Sequence, residues 1–502
     1  MTARRAAGSF RDPAGTLHWH EDSGTPRLLR VVQEGYAPHV RAFIQSEMAR
    51  EAMEAGELVR SRVLSPAEAG SLQGGLNGES SPATEHAEGE AAGLVLEHEV
   101  VPFRSYPSEW PPAMLHAAAR LTVELGQRGM AEGHVLKDAT PRNVLFRGPN
   151  PVFVDIPSFE PRDQGVPVWP AYSQFLQGFL LPLLLHRELG LDPRRFASPA
   201  GDGVTPADAM RALPWVRRFF PRPLALATAP ALLARRGRRL RSQGRGLPRL
   251  SPEAGDAALR RQFRSAGKHL QALAPLSPGA RSSSWVGYQD DCHYTEEDRG
   301  EKRRVVERVL ADEAPEQVLD LGCNQGEFSE MAARSGAQVV ALDSDPQVVE
   351  GVWQRSRREA LDILPLAVDL ADPTPAAGWR NGEQKALLER LSRRFHVVLA
   401  LALVHHLLVT QRIPLDEILE LLEGFVAPEG VVVVEYVPPQ DPRFRELAWG
   451  REELFTDHTL ERFQQAFHQR FKPVDDVALP DSERVLLVGR RPPRRGEAGP
   501  EQ

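Results

Sequence analysis

Three groups of residues in the 502-residue chain have types and spacings that can do chemistry. The first is Asp320-Leu321-Gly322-Cys323-Asn324-Gln325-Gly326, followed by Asp343 and Ser344. Two glycines in a tight turn let the backbone approach a ligand closely, and a helix opening at Glu327 would present free N–H groups to it. Asp343 closes the next apolar run, where a carboxylate can accept both hydroxyls of a ribose. Asp320 would repel a phosphate but suits a ligand that carries an amino group and a sulfonium. The second group is His405-His406, which follows another apolar run; imidazole is the natural proton acceptor near neutral pH. Glu435, at the end of the run after that, and Asp441, in the loop beyond it, read either as groups that orient a polar substrate or as turn and capping residues. The third group is Asp138, Asn143 five residues on, and Asp155 beyond a turn at Gly148-Pro149-Asn150. A base, an amide and a carboxylate occur in that order in phosphoryl transfer. The alternative is a turn fixed by short polar side chains.

Positioning the first group takes a strand, a glycine turn, a helix and a second strand. Residues 318–321 read as a buried strand, 327–335 as the helix and 339–342 as the second strand of a parallel sheet, with the ligand at the carboxyl ends of the strands. Further strands are expected at 364–368, 397–402, 431–437, 474–479 and 484–490, with helices at 382–393, 415–425 and 457–471. A dinucleotide fold needs G-x-G-x-x-G, and Glu327-Phe328-Ser329 stand where its third glycine would fall. At these residues the chain resembles motif I of the class I S-adenosylmethionine (SAM) dependent methyltransferases. That resemblance implies a doubly wound, seven-stranded Rossmann-like sheet closed by an antiparallel hairpin, with SAM as the cofactor. It carries cofactor binding onto Asp320, Gly322, Cys323, Asn324, Gly326, Asp343, Ser344, Asp369 and Leu370. Asp369 would bond the adenine amino group, and Leu370 would stack nearby. His405, His406 and Glu435 are the candidates for the catalytic side of the site, with the histidines also read as loop packing. Cys323 has no base beside it in sequence and reads as a small packing residue.

Residues 1–165 are expected to form an α+β domain, with a helix at 40–58, an edge-like strand from 94, a helix at 113–126 and a Gly/Ser/Glu/Ala insertion at 69–93. Around Asp138, Asn143 and Asp155 the chain weakly resembles the catalytic loop of the kinase and aminoglycoside-phosphotransferase fold. It departs from that pattern: His134 lies four residues before Asp138, Ile-Pro follows Asp155, and neither a glycine-rich loop nor a strand lysine precedes it. A degenerate kinase-like domain used for binding or scaffolding is the reading that fits. Residues 166–276 read as a helical, basic extension, 277–284 as a linker, 285–491 as the methyltransferase and 492–502 as a disordered tail. Residues 94–490 together resemble bacterial two-part methyltransferases of nodulation-protein type, with LKDATPRN, DLGCNQG and Leu-Val-His-His in order.

A formal charge of −7 gives no general case for nucleic acid. Between 211 and 270, however, fifteen Arg or Lys meet two acids. This stretch is read as a solvated face without an aromatic stacking platform, the alternative being a groove for RNA. Two cysteines, Cys292 and Cys323, without a CxxC or a His/Cys cluster, give no metal site and suit a reducing cytoplasm. The first residues lack a signal-like apolar run, and 179–185 is too short to span a bilayer. The expected activity is methyl transfer from SAM to an oxygen or nitrogen of a small-molecule or saccharide-like acceptor. The alternatives are an RNA methyltransferase using 211–270, a phosphotransferase with a regulatory SAM domain, and a SAM-binding module without catalysis. The sequence leaves the acceptor and the oligomeric state open.

Overall fold

The computed structural model describes residues 3–6, 8–22, 25–76, 94–197, 203–233, 249–275 and 295–493. Most of the expected insertion, the 277–284 linker, the first residues of the expected methyltransferase, 285–294, and the tail beyond 493 lie outside the described residues. The chain divides into two compact units, Met1–Pro275 with Ala376–Lys385, and Leu276–Pro375 with Ala386–Gln502.

In the first unit β1 (Ala3–Arg5), β2 (Gly15–Asp22), β3 (Thr25–Val32), β4 (Ser61–Val63) and β5 (Val95–His98) form a sheet in the order β1-β2-β3-β5-β4. The strand expected at an edge is therefore an inner one: His98 faces Leu28 of β3 on one side and Ser61 of β4 on the other. The single helix expected at 40–58 is two, Ala37–Gln45 and Glu47–Glu54. Ser46 breaks it by taking an extended backbone and accepting the Ala49 N–H at 3.2 Å, as an N-cap does. A long helix, Pro112–Ala131, then leads to β6 (His134–Leu136), β7 (Val144–Arg147), β8 (Asn150–Phe153) and β9 (Phe159–Pro161), paired β6-β9 and β7-β8. The helical extension packs onto the same unit. Phe263 of the Pro252–Ala272 helix lies where a side chain on Gly126 would stand, 2.7 Å from such a Cβ, and stacks on Trp169 at 4.4 Å. Aromatic residues do interleave with its arginines: Trp215, Phe219 and Phe220 are all exposed.

The second unit is a seven-stranded sheet built from β10 (Gln317–Leu321), β11 (Gln338–Asp343), β12 (Ile363–Ala367), β13 (Phe395–Ala400), β14 (Val426–Tyr436), β15 (Lys472–Ala478) and β16 (Val485–Arg490). The order is β12-β11-β10-β13-β14-β16-β15; the first five strands run parallel, and β16 alone is reversed, pairing antiparallel with β14 on one side and β15 on the other. β-branched and leucine side chains dominate these strands, and Val318, Val339, Ile363, Val397 and Val431 share one core with Val305 and Val306 of the Glu296–Glu313 helix. Strand order reverses between β10 and β13, which opens a crevice at the carboxyl ends of the central strands. The helix expected at 382–393 is only Leu387–Leu391. Gly378 at φ 84°, with Arg380 and Asn381 at φ 55°, turns the chain back so that Ala377 bridges Gln384 instead. No described helix is long and apolar enough to cross a membrane.

Candidate functional site

The glycine turn after β10 is closed by its own backbone. Gly322 and Cys323 donate N–H bonds to the Leu342 carbonyl at 2.8 and 3.0 Å, and Gly326 donates to Cys323 at 2.7 Å. Gly326 sits at φ 81°, and a Cβ there would meet Val352 Cγ2 at 2.9 Å, so both conformation and space require glycine. Asn324 also takes a left-handed φ of 45°. Asp343 ties this turn to β11: its two carboxylate oxygens accept the Asn324 and Asp345 N–H groups, each at 3.0 Å. Each oxygen retains lone-pair capacity for a further donor. Arg355 clamps the turn from the Pro346–Glu359 helix, bonding the Gln325 carbonyl and Glu330.

A cavity of about 370 Å³ opens over this turn. That volume lies within the usual span of small-ligand sites, roughly 300–1,000 Å³. Asp320, Gly322, Cys323, Asn324, Asp343, Ser344, Asp369 and Leu370 all line it; Gly326 lies below the wall. Asp320 is buried and accepts the Ser329 hydroxyl at 2.5 Å; burial, and then the nearby Asp343 charge, push its carboxyl up to about 6. Burial also raises Asp343, while the backbone bonds to Asp345 and Asn324 act against the rise. The Cys323 thiol is driven up by burial and by both acids, which leaves it a protonated packing group. These features fit SAM. Its amino group and sulfonium match the buried acids, and Leu342, Val348 and Val368 give an apolar wall for a base. Asn324 Oδ1, buried and without a partner among the described residues, has the capacity for one more donor.

The two histidines separate in space. His406 lines the cavity, whereas His405 is 1% exposed, turned into the protein, and does not. Their rings lie 4.3 Å apart; His406 opens the π-turned segment His406–Thr410 that follows β13, and His405 is the residue just before it. Burial, with Arg443 and Arg484 adding to it, lowers His406 to about 4 and keeps it neutral at pH 7. His405 is pushed well below its ordinary value, first by burial. Glu435 is fully buried beneath the wall. It accepts Lys302 Nζ at 2.8 Å, the Ala402 N–H at 2.8 Å and Arg484 at 3.3 Å, while Asp441 takes Arg484 through two bonds at 2.7 and 3.0 Å. Asp441 also caps the Pro442–Ala448 helix. Arg299, Lys302, Thr410, Gln411 and Arg443 line the cavity without having been singled out in sequence. Lys302 carried the one usable signal, as one of five lysines among 61 basic residues.

In the first unit the third group forms a different arrangement. Asp138 accepts Gln174 Nε2 at 3.0 Å, and Asn143 Nδ2 reaches the Asp138 carbonyl at 3.3 Å and Ser158 at 3.4 Å. Asp155 accepts the Ser158 hydroxyl and pairs with Arg30 of β3 at 3.1 Å; Arg30, nearly buried, also holds Asp12 at 2.5 Å. Among the described residues no cluster of three or more His, Cys, Asp or Glu side chains is arranged to hold a metal ion.

A methyltransferase-domain family model matches residues 294–472, the span that holds the glycine turn, the histidines and Glu435. Nodulation protein NoeA of Rhizobium meliloti (strain 1021) is 30% identical over 495 residues, covering 97% of this chain and 96% of that protein. A shorter match, 27% identical over 34% of this chain and 23% of the relative, is to the O-antigen chain terminator bifunctional methyltransferase/kinase WbdD of Escherichia coli. Among solved structures, N-methyltransferase NodS from Bradyrhizobium japonicum WM9 in complex with S-adenosyl-l-homocysteine aligns with 17% identity over 42% of this chain and 100% of that one, at a TM-score of 0.31. With near full-length similarity joined to this sheet and this cavity, the chain belongs to the family of the nodulation protein NoeA, and its second unit is a class I SAM-dependent methyltransferase.

Proposed function

We propose that the protein methylates an oxygen or nitrogen atom of a small-molecule or saccharide-like acceptor. The observation that carries this reading is the division of the cavity wall, with Asp320, Asp343 and Asp369 on the cofactor side and neutral His406 beside Thr410, Gln411 and Arg443 on the other. When bound, SAM supplies an activated methyl group on a sulfonium. Asp343 would hold the ribose hydroxyls, Asp369 the adenine amino group and Asp320 the amino group, while Arg299 offers a cation for the carboxylate. Most of the rate then comes from holding the acceptor atom in line with that methyl group. His406, neutral at pH 7, accepts the proton that a hydroxyl or amine acceptor must lose. His405 serves as packing behind it. Glu435 positions the chain at Ala402, which holds φ 50°, by accepting its N–H.

The first unit weighs against the phosphotransferase alternative. A β3 cation near the carboxylate after the hairpin suits a kinase-like layout, but here that cation is Arg30, already paired with Asp155 and Asp12. A binding or scaffolding role remains the reading for this unit. The RNA alternative is weakened because four of its described arginines are engaged by carboxylates, Arg211 with Asp208, Arg217 with Glu188, Arg249 with Asp163 and Arg260 with Asp256.

The test is calorimetric SAM binding to the native chain and to Asp343→Ala, followed by transfer of labelled methyl groups into a bacterial extract by the native chain and His406→Ala. SAM binding that Asp343→Ala weakens at least tenfold, with label in the small-molecule fraction that His406→Ala abolishes, is the expected result. Label that ribonuclease releases would overturn the acceptor, and a chain indifferent to SAM would overturn the whole reading.

A further inference from the structure

Residues 213–233 of the first unit fold with one face inward and one outward. Leu213, Pro223, Leu226, Ala227, Thr228 and Ala231 are buried, and the Thr228 hydroxyl donates to the Arg218 carbonyl at 2.9 Å while Arg218 Nε donates to Leu213 at 3.0 Å. The segment is therefore anchored. Exposed beside these are Trp215 at 71%, Val216 at 63%, Phe219 at 57% and Phe220 at 50%, with Trp215 and Phe219 in ring contact, and, at the segment's end, Leu232 at 50% and Leu233 at 63%. Large apolar side chains grouped on one exposed face mark an interaction site, whereas single ones need no explanation. In sequence the stretch carries charge of one sign: from Ala209 to Pro252 it holds eleven arginines and no acid. Among the described residues Arg218 and Arg222 have no carboxylate partner, while Arg211 and Arg217 pair with Asp208 and Glu188.

We propose that the exposed apolar group Trp215 to Phe220, aided by the exposed Leu232 and Leu233, docks on an anionic lipid surface. Aromatic and aliphatic side chains rimmed by arginine are the composition that inserts at a headgroup boundary, the apolar atoms entering the acyl edge and the guanidinium groups meeting phosphate. Single-stranded nucleic acid fits less well. It needs open aromatic faces, but Trp215 and Phe219 pack edge to face at 5.4 Å, and Val216, Leu232 and Leu233 have no ring to offer.

Flotation of the full chain with phosphatidylcholine vesicles, with and without phosphatidylglycerol, tests this. Binding is expected only with the anionic lipid and should weaken as salt rises. Trp215→Ser/Phe219→Ser/Phe220→Ser should lower the partition constant at least tenfold, and Arg222→Gln about fivefold. Both variants should keep native SAM affinity and thermal unfolding, because the substituted side chains face solvent. No binding to anionic vesicles, or binding that the triple variant retains, overturns the proposal. Vesicles ignored while an RNA oligonucleotide, or a second copy of the chain, is held through the same residues overturns it in favour of that partner.

Discussion

Glu435 offers the sharpest quantitative test, because its carboxylate meets two cations in a fully buried place. Lys302 and Arg484 are 6% and 5% exposed, and Glu435 itself is 0%. Glu435→Ala withdraws the carboxylate from both and removes the acceptor of the Ala402 N–H. Breaking a buried ion pair from one side costs roughly 3–5 kcal/mol, and for a unit of this size each kcal/mol lowers Tm by about 2–4 °C, so a drop of roughly 6–20 °C is expected. Scanning calorimetry reads it, and the transition that SAM raises identifies the methyltransferase unit. Lys302→Met/Glu435→Leu should recover about half the loss. Arg484 keeps its two bonds to Asp441, while the Ala402 N–H loses its acceptor, at about 1–3 kcal/mol. A drop under about 2 °C for Glu435→Ala, or a double variant no better than the single one, refutes the reasoning.

Asp320, raised to about 6 by burial, must ionise to face a cationic ligand. SAM affinity should therefore climb with pH, by up to about tenfold per unit below that value, and level above it; calorimetry showing the same slope in Asp320→Asn would sink this. His406, lowered to about 4, predicts a His406-dependent rate that is flat through neutral pH and falls only as pH approaches that value; a fall centred near 6.5 would contradict the burial argument. His458, likewise lowered to about 4 by burial, refuses a proton that the unfolded chain accepts, so its share of stability is whole above 6.5 and is lost as pH falls to about 4. Acid unfolding of His458→Gln should show a shallower loss across that window, and an unchanged slope would count against it. Arg30→Ala should destabilise the first unit by about 3–5 kcal/mol without creating Mg-ATP binding, since it strips Asp12 and Asp155 of a shared cation; measurable nucleotide affinity in either form would reopen the phosphotransferase reading.

Residues whose role is set by local spacing were legible. Gly322, Asn324, Gly326 and Asp343 carry their geometry in backbone conformation and in bonds between the turn and the next strand, which period and glycine position reveal. What distant packing decides was not. Nothing in His405-His406 says which ring faces the cavity, because the choice rests on how the following segment packs, not on the pair itself. Glu435 read as a group facing the acceptor because it closes a strand, yet Lys302, 133 residues earlier, takes it inward. The break at Ser46 was hidden by an apolar period that runs through it, although a serine followed by Glu-Met-Ala is a fair capping signal.

The inward turn of Glu435 also bears on how the site is assembled. Lys302 belongs to the helix that precedes the sheet, Glu435 to β14, and Ala402 to the loop after β13, so one carboxylate joins three elements that approach the cavity separately. Ala402 holds a left-handed φ that costs a non-glycine residue about 1 kcal/mol or more, and the N–H bond to Glu435 helps offset that cost. Only two residues further on begins the segment that carries His406. A fixed Ala402 therefore fixes where the imidazole stands relative to Asp320 and Asp343, and methyl transfer depends on that alignment more than on any strong base. On this reasoning Glu435→Gln, which retains an acceptor for the Ala402 N–H but loses the charge, should lower stability while sparing KM for SAM. Glu435→Ala should in addition reduce kcat. A Gln variant as deficient in kcat as the Ala variant would show that the charge, and not the loop it holds, governs the reaction.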